Sequence, residues 1–328
     1  MKKALLPLLL VLAAAGCVSG AGADTGSPVR AFPAKPVRLV VPFTPGSSTD
    51  IIARLIGPRL AERWGQPVVI DNRPGAGGIV AADIVAAAEP DGHTLMVVSS
   101  SFSGSAALKS KLPYDPVENF AGVSLILTTP LVLVVSPNLG VSSVKELIDL
   151  ARHESRQINF ASAGLGSGSH YSAELFKLTA GINAVHVPYR GSPQALTDTM
   201  SGRVEFFMSP VLAAVPLIGS GKLVALAVTT RERALPLPKV PTIDEAALPG
   251  FEYRGWGGLL APGKTPRVIV HRVSRDVGQI LALPEVAREI VKRGATAKSS
   301  TPDAFKELIQ VEIATRRKVW KAAGVTVQ

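Results

Sequence analysis

Between Arg38 and Val98 the chain alternates short apolar runs, glycine- and proline-rich turns and helical stripes, an order that few folds accept. The runs Arg38 to Val41, Pro67 to Asp71 and Thr94 to Val98 have the length of buried strands. Between them, Ile51, Ile52, Leu55, Ile56 and Leu60 form the apolar stripe of one helix, and Val80 to Ala88 forms a second. This βαβαβ run predicts a parallel sheet with right-handed crossovers. Open α/β sheets bind ligands at the carboxyl ends of their strands. Ser99 and Ser100, with Ser101 after them, stand at such an end.

The first strand end carries more detail. Pro42 and Pro45 stop the ladder, and Gly46 allows a sharp turn. Ser47, Ser48 and Thr49 are good N-cap residues, and Asp50 suits a first helical turn. A helix N-terminus has unpaired N–H donors and a partial positive charge, which favour a small anion. Phe43, Thr44, Pro45, Gly46, Ser47, Ser48 and Asp50 are therefore candidate ligand contacts, although an ordinary βα turn reads the same way. A counterpart lies at Asn159 to His170, where a strand meets a Gly/Ser-rich loop and then a helix start. Its candidates are Ser162, Ala163, Gly164, Gly166, Ser167 and His170. Two such loops at facing strand ends would clamp an anion without a formal positive charge. A third strand end, His186 to Ser192, offers Tyr189 as an apolar cover and Arg190 as either a carboxylate partner or a solvated surface charge.

The 328 residues, 47% of them hydrophobic, suffice for a sizeable core in two lobes. Lys2 and Lys3, the apolar run Ala4 to Ala15 and the small residues that follow read as a secretory signal over 1–23, with a Gly/Pro-rich linker at 24–36. Cys17 is the only cysteine, so there is no disulfide framework. Ala14-Ala15-Gly16-Cys17 resembles a lipobox, and Ala21-Gly22-Ala23 offers a competing ordinary cleavage, so a lipid anchor and a free periplasmic protein both stay open. No segment is long enough to span a membrane; Val123 to Val135 comes nearest, and Thr128, Thr129 and Pro130 are expected to split it into two strands. The formal charge of +10 attracts anions generally. Scattered charges, few aromatics and export exclude nucleic acid as a partner.

Further along, the pattern gives a strand over Leu131 to Val135, a helix capped at Ser143 with Glu146 in capping-box spacing, and strands at 158–161, 184–187, 204–208 and 223–229. Helices are expected at 169–180, 193–201, 266–281, 284–293 and 302–322, with a strand at 256–261. Residues 37–135 with 229–328 form the expected first lobe and 136–228 the second, joined by two crossings near 135 and 229.

These stretches together resemble the solute receptors of tripartite tricarboxylate transporters, the Bug receptors. The matching segments are Lys35 to Phe43 with Pro45-Gly46 and Asp50, Gln66 to Val69, Asn72 to Gly78, Pro90-Asp91-Gly92 and Leu112 to Pro116. Ser162-Ala163-Gly164 with Gly166-Ser167 and His170, His186 to Tyr189, Gly221-Lys222-Leu223 and Val240-Pro241-Thr242 complete them. The order and spacing are specific where no single motif is. The resemblance implies a periplasmic-binding-protein-like fold of the type II Venus-flytrap kind: two α/β lobes that close on a small carboxylate. It also implies a monomer without cofactor or catalytic chemistry, delivering its ligand to a membrane permease. In the family a ligand carboxylate is held by backbone groups and waters of the loop matching Phe43 to Ser48, faced by the loop matching Ser162 to Ser167. Family members often have glycine where Ser47 stands, and aspartate after the strand matching Val204 to Met208, where this chain has Ser209. Loss of that acid predicts a preference for plain acids over amino acids. A solute sensor or an enzyme acting on a small acid are the rival functions.

Some features are decoys. Gly258 to Thr265 spells a phosphate-binding loop, but Pro262 stiffens it and Thr265-Pro266 reads as a helix start. His170 and Glu174 are spaced like a metal pair with no third ligand, so His170 is read as packing on its loop. No Gly-x-Ser-x-Gly elbow occurs. Phe251 and Trp256 read as core or hinge packing, and Arg73 as a brace for its glycine loop.

Overall fold

The computed structural model describes residues 32–153 and 157–325. The secretory signal, Cys17 and most of the linker lie outside the described residues. The chain runs β1 (Val37–Val41), α1 (Ser48–Trp64), β2 (Val68–Asn72), α2 (Ile79–Ala86), β3 (Thr94–Ser99), α3 (Ser101–Leu108), β4 (Phe120–Val135) and α4 (Val144–Arg152). Next come β5 (Asn159–Ser162), α5 (Gly168–Ala180), β6 (Val185–Pro188), α6 (Ser192–Met200), β7 (Phe206–Pro210), α7 (Val211–Gly219), β8 (Val224–Val228) and α8 (Ile243–Ala246). The last elements are β9 (Arg254–Pro262), α9 (Arg267–Leu281), α10 (Pro284–Lys292), β10 (Thr296–Ala297) and α11 (Pro302–Ala322).

The strands form one mixed sheet in the order β2-β1-β3-β9-β4-β7-β5-β6, with β8 and β10 also paired to β4. As the βαβαβ pattern requires, β1 pairs parallel with both β2 and β3. The second half repeats the device with β5 parallel to β6 and β7. Both faces of each half are covered. Leu39 and Val41 pack against Ile52, Ile56 and Val277, while Val40 faces Ala82, Val85 and Ile309 on the other side. Alternate β4 residues do the same further on: Leu133 and Val135 face Leu147 and Phe176, Val132 and Val134 face Ala195 and Phe207. Strands buried on both faces read as continuous apolar runs.

Val123 to Val135 is not two strands. It belongs to β4, a single strand of 16 residues. Pro130 is tolerated inside it because the ladder changes partner there: β4 pairs with β9 up to Pro130, and with β7 and β8 from Leu131 on. The chain thus passes from one half to the other within one strand. Residues 230–253 stay with the second half, since Ile243, Phe251 and Tyr253 belong to its core, and the return passage falls at Tyr253–Arg254 instead of near 229. A further link was not legible beforehand. Helix α11 packs Phe305, Ile309 and Ile313 against the first half and Trp320 against the second.

Three local readings change. Ser143 caps α4, but Glu146 reaches the Ser142 N–H at 2.7 Å and not that of Ser143; the full capping box sits at Thr242 and Glu245. Thr265 does not cap α9, whose N-cap is Pro266. Most of the phosphate-loop spelling lies inside β9, where a Cβ at Gly258 would overlap the Phe305 ring, so it forms no anion cradle.

Candidate functional site

Where the halves meet, a cavity is lined by Phe43, Ser47, Ser48, Ser99, Ser100, Ser101, Thr129, Leu131, Ala163, Ser167, Gly168, Ser169, Ser192, Pro210, Gly255 and Trp256. Eight of these residues are serines, and none carries a charge. The serines cluster because four helices begin at the wall: α1 with N-cap Ser47, α3 with N-cap Ser100, α5 with N-cap Ser167, and α6 at Ser192. Neither α3 nor α6 has a side-chain cap, so their first-turn donors are left for another acceptor. Converging helix starts lend the cavity a positive potential without a lysine or arginine. Trp256, Phe43 and Leu131 give it an apolar side.

Of the sequence candidates, Phe43, Ser47, Ser48, Ser99, Ser100, Ala163 and Ser167 line this cavity. The others stand behind it. Thr44 bonds Gln194 across the gap at 3.2 Å, and Gly46 faces Pro193 there, with Pro45 exposed beside them. Asp50, 2% exposed, is a brace: its carboxylate accepts from the Gly46 N–H at 2.9 Å, Arg54 Nε at 2.8 Å and Asn72 Nδ2 at 3.1 Å. Burial pushes its pKa up, but the bonds from Arg54, Gly46 and Asn72 outweigh burial and hold it below the usual carboxylate range. Asn72 in turn binds the Phe43 carbonyl, so this network fixes the turn.

The opposite loop is built similarly. Ser162 Oγ accepts from the Gly164 N–H and bonds His186 Nε2 at 2.6 Å. His170 Nδ1 accepts from the Gly166 N–H at 3.1 Å, which makes it a support for the loop, and no group of three or more metal-ligating side chains occurs among the described residues. Tyr189 is turned away by its hydroxyl bond to Asp198 at 2.8 Å, Arg190 is exposed, and Ser209 donates to the Pro210 carbonyl. Arg73 pairs with Asp71 at 2.9 Å, off the wall.

The sequence reading missed Ser101, Thr129, Leu131, Gly168, Ser169, Ser192, Pro210, Gly255 and Trp256. Trp256 is both: it packs edge-on against Phe305 at 5.4 Å, as expected of a core residue, and it also walls the cavity. Ser169 could have been found, as it stands two residues after Ser167, in the first turn of α5.

His170 and His186 stack at 3.8 Å, nearly parallel. Burial, then the neighbouring His186 and Lys177, lowers His170 to about 2; burial, then Lys177, lowers His186 to about 4. Both start from 6.5, so the pair is neutral when folded while the unfolded chain takes up protons below that pH. Their contribution to stability is complete above pH 6.5 and is lost as pH falls towards 4, at up to about 1.4 kcal/mol per pH unit for each ring. The melting temperature should fall across this window, and His186→Gln should flatten the slope; equal slopes in both proteins would contradict it.

A two-lobed α/β fold with a polar, uncharged cavity between its halves defines a solute-binding receptor. Residues 52–325 match the family model described as tripartite tricarboxylate transporter family receptor. The chain belongs to that family. It is similar to Rpa4515 of R. palustris, solved with adipate: 38% identity, TM-score 0.87, covering 90% of this chain and 99% of that one. It is similar to the periplasmic binding protein BugD at 30% identity and TM-score 0.86, covering 90% and 100%. MatC from Rhodopseudomonas palustris with bound malate matches at 35% identity and TM-score 0.83, covering 88% and 99%. Among the described residues, no helix is long and apolar enough to cross a membrane.

Proposed function

We propose that this receptor works in the periplasm, closes on a small carboxylate, and presents it to the permease subunits of a tripartite tricarboxylate-type transporter. The observation that carries the reading is the cavity wall itself: eight serines at the starts of four helices, with no charged side chain. A carboxylate there would accept hydrogen bonds from hydroxyls, backbone N–H groups and ordered water inside a closed, low-dielectric space. The adipate and malate bound by two relatives are of this chemical class. The absence of an acidic side chain from the wall leaves an ammonium group unpartnered, which favours plain acids over amino acids. Nothing in the reading requires a cofactor or a second copy of the chain.

A thermal-shift screen of the purified protein with succinate, malate, adipate, benzoate and aspartate tests this. Ligand at a hundred times Kd adds about 2.7 kcal/mol to the folded state, a rise of several degrees. At least one plain acid should give such a rise, and aspartate should give less than succinate. No rise with any acid would defeat the carboxylate reading; conversion of the bound acid to a product would favour an enzyme.

A further inference from the structure

Arg316 lies behind the cavity, on α11, with 2% of its surface exposed. Its Nη2 donates to the Tyr253 hydroxyl at 3.2 Å and to Glu312 Oε1 at 3.2 Å, and the guanidinium stands 4.5 Å from the Tyr171 ring centre. Its Nη1 is buried without a hydrogen-bond partner among the described residues. A buried ion pair of this kind adds little stability over apolar packing, and an unpaired buried N–H subtracts from it. Stability alone does not account for an arginine here.

The hydrogen bonds suggest what does. A guanidinium can only donate, so the Tyr253 oxygen must accept from it. The one Tyr253 proton is then free for its other neighbour, Ser100 Oγ, at 2.8 Å. Either hydroxyl can be the donor in this pair; when Tyr253 donates, Ser100 accepts and its own hydroxyl hydrogen points elsewhere. Ser100 occupies the N-cap position of α3, on the cavity wall, with its side chain making no capping bond. An isolated serine hydroxyl can donate or accept; this one is biased towards donating.

We propose that Arg316, acting through Tyr253, fixes Ser100 as a hydrogen-bond donor into the cavity and so makes that part of the wall selective for an anionic oxygen. The proposal rests on the carboxylate reading above. Arg316 and Tyr253 are positioning residues; neither lines the cavity. Since Glu312 offsets the arginine charge, the effect is on the direction of a proton and not on net charge. The chain of bonds also joins three parts of the fold: Ser100 from the first half, Tyr253 from the second-half core at the return passage, and Arg316 from the helix that spans both.

A double-mutant cycle tests it, measured by calorimetry with adipate or with whichever of succinate, malate and benzoate gives the largest thermal shift. Tyr253→Phe removes one oxygen and should weaken binding about tenfold, the range of one directed hydrogen bond. Ser100→Ala should weaken it about as much. The double variant should bind no more weakly than Ser100→Ala alone, and Arg316→Lys, which still donates, should stay within about threefold of the starting protein. Additive losses in the double variant, or unchanged affinity in Tyr253→Phe, would overturn the relay while leaving the carboxylate reading intact. If no acid binds the unmodified protein, the carboxylate reading falls and the relay falls with it. Arg316→Met is open to a folding defect, which is why Tyr253→Phe carries the test.

Discussion

Gly104→Ala should hold the two halves apart and weaken acid binding by about a hundredfold, some 3 kcal/mol. Within α3 the change is favourable, because alanine stabilises a helix interior by up to about 1 kcal/mol over glycine. The obstacle is across the gap. A Cβ at position 104 would overlap the Gly166 carbonyl oxygen in the opposing loop and lie 3.4 Å from Arg316 Nη1. Backbone on that side is pinned by the Gly166 N–H bond to His170, so it has little room to retreat. Opening the halves relieves the overlap. The ligand-free variant should therefore melt within a few degrees of the parent, with a larger radius of gyration in the presence of ligand. Calorimetry showing undiminished affinity would mean that the contact between α3 and the 163–167 loop plays no part in closure.

How much of this could be read from the residues follows from how local each signal is. The alternation of strand and helix is punctuated by Pro42, Gly46, Gly65 and Gly92, each acting on its own neighbours, and most elements lie within a residue or two of their expected bounds. Seven candidate contacts reach the cavity for the same reason: Ser47 and Ser167 sit at helix starts whose caps are visible in sequence. Thr129, Leu131, Gly255 and Trp256 were hidden. They belong to strands that read as buried core, and only the passage of β4 and β9 between the halves brings their middles and ends to the cavity. Asp50, His170 and Tyr189 stand beside these loops without lining the cavity, because each spends its polar atoms on holding a turn or on a neighbour. Spacing places a residue near a site; it does not say which way the side chain faces.

The passage between the halves is itself open to test at Thr229, which is fully buried. Its hydroxyl accepts from the Leu131 N–H at 2.9 Å and donates to the Tyr253 carbonyl at 2.8 Å. Its backbone adds bonds to the Leu131 carbonyl at 2.9 Å and from the Tyr253 N–H at 2.7 Å. One side chain thus ties the end of β8 to both passages at once. Thr229→Val keeps the shape but strands a buried N–H and a buried carbonyl, each costing about 1–3 kcal/mol. The expected loss is about 2–5 kcal/mol, a fall in melting temperature on the order of 5–10 °C. Thr229→Ser retains the hydroxyl and should recover most of it, which separates the hydrogen bonds from the lost methyl. A valine variant that melts like the parent would show that the three segments are held by their backbone ladders alone. A lower melting temperature accompanied by weaker acid binding would place the same threonine in the coupling between fold and site, since the Tyr253 backbone it holds also sets the hydroxyl that faces Ser100.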